Sequence, residues 1–214
     1  MKSMAQALAD GAGELGLELS DDAIDRLLAY LALLQKWNRV YNLTAIRESS
    51  RMVSHHVLDS LAVLPHLQAR RIVDVGTGAG LPGIPLALAN REWSVTLADS
   101  NHKKLAFVTQ AIGELRIENA VIQRDRVETW HPAAGFDVVI SRAFAELQDF
   151  VRLAGHLVAP GGKLVAMKGL EPFEEIGQLP PEFRVARVIR LNVPGVEGER
   201  HLVMMERSPV QSDA

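Results

Sequence analysis

The sequence predicts an α/β protein: a mostly parallel sheet with helices on both faces, ending in an antiparallel strand pair and preceded by a helical extension. Three observations carry this. From residue 71 onward, short apolar and β-branched runs alternate with helix-length segments, the pattern of parallel strands joined by crossover helices. The last two runs are separated only by a glycine- and proline-containing loop, which suits an antiparallel pair at the sheet edge. Before residue 71 the apolar residues instead recur every three or four positions, the period of an amphipathic helix.

Taken in order, Ser20 is placed to cap a helix in which Ile24, Leu27, Leu28, Leu31, Leu34 and Trp37 form one apolar stripe. Tyr41-Asn42-Leu43-Thr44 breaks that rhythm, and a second helical segment runs from about Met52 to Leu64. Strands are expected at 72–75, 95–98, 120–122, 136–140 and 163–167, with Pro160-Gly161-Gly162 as the turn before the fifth. The terminal pair is 185–191 and 202–205. This divides the chain into a helical extension over 1–68 packed on the core, a core over 69–208 and a flexible tail over 209–214.

With 214 residues, 48% hydrophobic and 23% charged, the chain can bury one substantial core, which excludes a disordered or coiled-coil protein. It contains no cysteine, so a disulfide scaffold, a cysteine zinc site and thiolate-dependent methylation of a pyrimidine carbon are all excluded. No metal is expected. No segment approaches the ~20 apolar residues of a membrane span, and the first ten residues lack a signal sequence, so the expectation is a soluble, cytoplasmic protein. A formal charge of −3 gives no global attraction to nucleic acid, but the charge is unevenly spread. Residues 1–35 set Lys2 and Arg26 against six carboxylates, while residues 36–71 set six Lys or Arg against Glu48 and Asp59 and add His55, His56 and His66. Such a block either holds a polyanion or is simply a solvated face.

The chemistry concentrates in Asp74-Val75-Gly76-Thr77-Gly78-Ala79-Gly80-Leu81-Pro82-Gly83. A strand running into alternate glycines and then a helix lets a nucleotide-like ligand lie against bare backbone. The next strand ends in Asp99, 23 residues beyond Gly76, where a carboxylate can accept from both hydroxyls of a ribose. These two signals leave NAD and S-adenosylmethionine open. The glycine spacing leans to the second, because Leu81 stands where a dinucleotide loop wants its last glycine. Asp74 is expected to brace the loop or meet a ligand amino group. Pro82 and Pro85 are tolerable at the start of the following helix.

Further blocks recur along the chain: Lys36-Trp37-Asn38 with Tyr41-Asn42-Leu43-Thr44, His55-His56-Val57-Leu58-Asp59-Ser60, Ser141-Arg142-Ala143-Phe144, Lys168-Gly169 and Gly198-Glu199-Arg200-His201. With the glycine loop they resemble, in order and over nearly the whole chain, the RsmG family, also called GidB. The resemblance implies the Rossmann-like sheet of class I S-adenosylmethionine-dependent methyltransferases. It also implies methyl transfer to N7 of one guanine in the decoding-site loop of bacterial 16S rRNA, free or in the small ribosomal subunit, and a monomer is expected. Guanine N7 carries a lone pair and no proton, so alignment and water exclusion suffice and no general base is obligatory. The chain agrees in lacking, after its fourth strand, the Asn/Asp-Pro-Pro-aromatic signature of exocyclic amino methyltransferases.

Carried over from the family, the cofactor pocket includes Gly76, Leu81, Val127, Glu128 and Arg142, joined by Asp99 on the ribose argument. Arg142 is expected to meet a cofactor carboxylate or an RNA phosphate, in preference to a protein carboxylate, and to act in positioning. Arg126, Lys168, His55 and Arg200 are the candidates for contact with RNA. The competing readings are an NAD-dependent oxidoreductase, a methyltransferase for another RNA or a small molecule, and a non-catalytic binding protein.

Overall fold

A computed structural model describes residues 3–142, 144 and 146–209. Residues 210–214 of the expected tail and Ala143 of the Ser141-Arg142-Ala143-Phe144 block lie outside the described residues.

The chain opens with α1 (Met4–Glu14) and α2 (Asp21–Tyr41). The Ser20 hydroxyl accepts from the Ala23 amide at 3.2 Å, and Asp21 and Asp22 sit in the first turn, where carboxylates favour the helix dipole. The helix ends where Asn42 adopts a left-handed conformation, φ 49°. A second helical stretch follows as α3 (Ser49–Met52), a π-helical segment (Val53–Leu58) and α4 (Asp59–Leu61). A wide π turn in mid-helix is uncommon and often marks a functional position; this one carries both His55 and His56.

Strands and helices then alternate: β1 (Arg71–Val75), α5 (Gly83–Ala89), β2 (Ser94–Ala98), α6 (His102–Glu114), β3 (Ala120–Gln123), β4 (Phe136–Ser141), α7 (Leu147–Ala154) and β5 (Val158–Lys168). After α8 (Phe173–Ile176) come β6 (Phe183–Arg190) and β7 (His201–Arg207). The sheet order is β3-β2-β1-β4-β5-β7-β6. Its first five strands are parallel, and β7 lies antiparallel between β5 and β6, as the loop between the last two runs requires. Strand order reverses between β1 and β4, so the loops after those strands diverge and open a crevice at the carboxyl edge.

One expectation is corrected. Pro160-Gly161-Gly162 is not a turn ahead of the fifth strand but a bulge within it: pairing with β4 jumps from Phe136–Val158 to Val138–Lys163. Both flanks of the bulge pair with the same neighbour, so one strand continues through it.

Successive residues of β1 serve opposite faces of the sheet. Ile72 joins a core with Leu27, Leu31, Leu34, Leu86 and Phe107, uniting the N-terminal helices with α5 and α6. Val73 and Val75 join a second core with Val139, Phe150 and Leu164 under α7.

Candidate active site

The glycine loop after β1 is built from backbone conformations that favour glycine: Gly76, Gly78 and Gly80 have φ of 69°, 59° and 86°. Asp74 braces it as expected. One of its carboxylate oxygens, Oδ2, accepts from Thr77 Oγ1 at 2.6 Å and from the Gly83 amide at 2.9 Å, tying the strand end to the start of α5. The side chain is fully buried and its Oδ1 has no partner among the described residues. Burial raises its pKa to about 6. From the other side the Tyr30 hydroxyl of α2 donates to the Ala79 carbonyl at 2.8 Å, so the N-terminal helices are bonded to the loop itself. Burial raises the Tyr30 pKa too, so the phenol stays a donor.

Beside this loop lies a cavity of about 300 Å³ lined by Gly76, Asp99, Arg126, Val127, Glu128 and Phe144, among others. Asp99 Oδ2 accepts from the Gly78 amide at 2.9 Å and Oδ1 from the Asn101 amide at 2.8 Å. These bonds aim the carboxylate and leave a lone pair on each oxygen. The residues fit an adenosine. Bare backbone at Gly76 admits close approach, Asp99 suits the ribose hydroxyls, and Val127 and Phe144 offer apolar surface next to the acidic Glu128. Leu81 does not join them: it is 5% exposed, packed in the core, with its amide bonded to the Thr77 carbonyl at 2.9 Å. Arg126, a candidate for RNA, lies in this cavity 3.4 Å from Glu128.

A second cavity, about 280 Å³, is lined by residues that include Ile46, His55, Asp59, Arg142, Lys168 and Arg200. The segment after β4 joins the two, with Arg142 in this wall and Phe144 in the other. Asp59 organises the charges here. Its carboxylate is 5% exposed; Oδ2 accepts from Arg142 Nη1 at 3.1 Å and Oδ1 from Arg200 Nε at 2.9 Å. Arg142 Nη1 also donates to the His55 carbonyl at 3.2 Å. A protein carboxylate, the partner held less favoured for Arg142, is therefore what it meets, because a guanidinium at a central strand end is neutralised most cheaply within the fold. Lys168 pairs with Glu175 at 2.7 Å. His56 is buried; its Nδ1 lies 3.1 Å from the His55 carbonyl and its Nε2 2.9 Å from Thr44 Oγ1, a pattern that assigns the neutral ring with the proton on Nδ1. Burial, then Arg142, lowers its pKa to about 4.

The sequence grouped Arg142 with the cofactor residues and Arg126 with the RNA candidates; in the fold Arg142 instead lines one cavity with Lys168, His55 and Arg200, and Arg126 lines the other with Gly76, Asp99, Val127 and Glu128. Sequence reasoning missed Tyr30 and Asp59. Asp59 had a signal, a carboxylate inside Val57-Leu58-Asp59-Ser60-Leu61, since a charge in an apolar helical run needs a buried partner. Tyr30 had none beyond being the polar-tipped member of an apolar stripe.

The model of the rRNA small subunit methyltransferase G family, GidB, matches residues 23–203. The chain belongs to the GidB family. It is 56% identical over 211 residues to the ribosomal RNA small subunit methyltransferase G of Nitrosospira multiformis, covering 95% of this chain and 98% of that one. With the protein of the same name from Laribacter hongkongensis it is 52% identical over 203 residues, covering 95% and 98%. Among solved structures, the glycopeptide N-methyltransferase MtfA, complexed with S-adenosylmethionine, superposes with a TM-score of 0.61 at 11% identity, covering 72% of this chain and 88% of that one. That likeness is one of fold, the class I methyltransferase sheet. As a GidB protein the chain is an S-adenosylmethionine-dependent rRNA methyltransferase. Among the described residues of this GidB chain, no helix is long and apolar enough to cross a membrane, and no group of three or more His, Asp or Glu side chains is disposed to hold a metal ion.

Proposed function

We propose that the enzyme methylates N7 of one guanine in the decoding-site loop of 16S rRNA, with the cofactor in the Gly76–Asp99 cavity and the target base entering the Arg142–Arg200 cavity. The observation that carries this reading is the commitment of Asp59 and His56 to protein partners. Asp59 is held by two guanidiniums, and both ring nitrogens of His56 are within bonding distance of protein atoms. Neither is disposed to take a proton from a substrate, which matches a nucleophile that has none to lose.

Bound S-adenosylmethionine supplies the electrophilic methyl group. The chain's own residues do the rest. Asp99 orients the ribose, and the glycine loop and α5 fix one end of the cofactor cavity. Arg142 and Arg200 hold the nucleotide through its phosphate or the guanine O6, with Lys168 and His55 on the same wall. Arg126, beside Glu128 in the wall of the cofactor cavity, contacts RNA. We assign residues 1–68 to a helical extension that carries part of the substrate wall and 69–208 to the catalytic core, working as a cytoplasmic monomer.

The test is to incubate the protein with radiolabelled S-adenosylmethionine and small ribosomal subunits lacking the modification, then digest the RNA and identify the labelled nucleoside and its position by mass spectrometry. A single 7-methylguanosine in the decoding-site loop is expected. Label at another position, or none in RNA despite cofactor binding, overturns the substrate assignment. Arg142→Ala is expected to reduce transfer at least tenfold while the protein stays folded; wild-type turnover removes Arg142 from the site.

A further inference from the structure

We propose that the exposed face formed by the end of α2 and the segment after it, residues 36–51, is the track for the rRNA strand flanking the target nucleotide. In this reading Arg39 and Arg47 contact phosphates and Tyr41 is a stacking platform for a base. The inference rests on rRNA being the substrate.

The charge on this face is uncompensated. Lys36, Arg39, Arg47 and Arg51 are all exposed, and none has an ion-pair partner among the described residues. Some exposed arginines elsewhere are paired, Arg91 with Asp22, Arg184 with Glu206 and Arg190 with Glu199, while Arg70, Arg116, Arg124 and Arg187 are unpaired but scattered; among the described residues, only here do four such cations fall within sixteen residues. Here Arg47 reaches only the neutral Asn42 side chain, at 2.9 Å, and the single acid, Glu48, accepts from Ser50. The acidic first turn of α2 lies at the far end of a 21-residue helix, about 30 Å away, beyond several screening lengths at physiological salt.

The face also offers apolar surface to solvent. Val40 is 70% and Tyr41 50% exposed. Tyr41 is backed by Trp37, ring centroids 5.0 Å apart, and Trp37 packs on Phe107 at 5.7 Å. A supported aromatic ring among unpaired cations meets both parts of an RNA strand, bases by stacking and phosphates by charge.

The face is fixed in position and leads to the substrate cavity. Asn38 bonds both backbone groups of Thr44 at 2.9 Å, and the Thr44 hydroxyl lies 2.9 Å from His56 Nε2. Ile46, within the same segment, lines the cavity that holds Arg142 and Arg200. A strand lying on residues 36–51 thus has one end at the proposed entry of the target base.

The test reads binding, not turnover. Filter binding of the full-length protein to unmodified small subunits, and to deproteinised 16S rRNA, is followed from about 50 to 200 mM salt. Each phosphate contact on single-stranded RNA contributes about 0.7 to the slope of log K against log salt. The double substitution Arg39→Gln, Arg47→Gln is expected to lower the slope by about 1.4 with both ligands and to weaken binding about tenfold. The pair Arg39→Lys, Arg47→Lys retains the wild-type slope. Tyr41→Ala weakens binding about tenfold with the slope unchanged, and Tyr41→Phe binds within twofold of wild type. Cofactor affinity is unchanged in all four. An unaltered slope in the double glutamine variant overturns the proposal. So does weakening on subunits alone, which would identify a ribosomal protein as the partner. Failure of the wild-type protein to label RNA refutes the substrate reading independently of these slopes.

Discussion

At the residue scale, Asp59 is the position on which the substrate wall depends. Breaking a buried ion pair from one side costs about 3–5 kcal/mol. Both arginines keep more than a quarter of their side-chain surface exposed, 28% and 29%, so solvent screens part of the loss. Asp59→Ala is expected to cost about 2 kcal/mol in denaturant unfolding and to lower methyl transfer by more than tenfold, with cofactor affinity kept. Loss of cofactor binding in the folded variant would place Asp59 in the other cavity. Two other buried groups give opposed pH dependences. Burial takes His56 from 6.5 to about 4, so the unfolded chain binds a proton that the folded one refuses, and stability falls as pH drops through that window. Burial takes Asp74 from 3.8 to about 6, so the folded protein holds a proton that the unfolded chain releases, and stability falls as pH rises from 4 to 6. Thermal unfolding between pH 4 and 7 checks both signs. Relative to wild type, Asp74→Asn should lose ground on acidification from pH 6 to 4, and His56→Gln should gain it from 6.5 to 4.

At the element scale, α2 does more than cover the sheet. Its apolar stripe buries Leu27, Leu31 and Leu34 in the shared core, and Tyr30 on that stripe reaches the glycine loop. Tyr30→Phe keeps the packing and strands the Ala79 carbonyl without its donor, at a cost of about 1–2 kcal/mol. We expect weaker S-adenosylmethionine binding with it, measured by calorimetry; unchanged affinity would show that the loop holds its shape without α2. The strands and their alternation with helices were legible because each reads as a local apolar period. The bulge at Pro160-Gly161-Gly162 was not, because a turn and a bulge use the same residues and differ only in what the flanking backbone pairs with. The placement of the Leu81 side chain was not legible for a similar reason: its neighbours line the ligand edge, yet the tight turn carries its side chain into the core.

At the scale of the molecule, binding of the cofactor is linked to folding. Ligand at a hundred times its Kd stabilises by about 2.7 kcal/mol, which for a chain of this size raises the melting temperature by about 5–10 °C. Asp99→Ala should retain a folded protein and lose most of that shift in thermal scans. A full shift in the variant would remove Asp99 from the ribose site.

The sequence by itself determined the α/β architecture, the antiparallel ending, the glycine loop with Asp99 and the family, because these rest on local periodicity and on motifs whose spacing is fixed along the chain. The tertiary structure decided how the charges are spent. Asp59, Arg142 and Arg200 are far apart in sequence and meet only because α4, the end of β4 and the start of β7 converge on one edge of the sheet. Whether a cation is paired or left facing solvent is a property of that convergence. The same fold that neutralises Arg142 and Arg200 against one buried carboxylate leaves Arg39 and Arg47 without an ion-pair partner among the described residues.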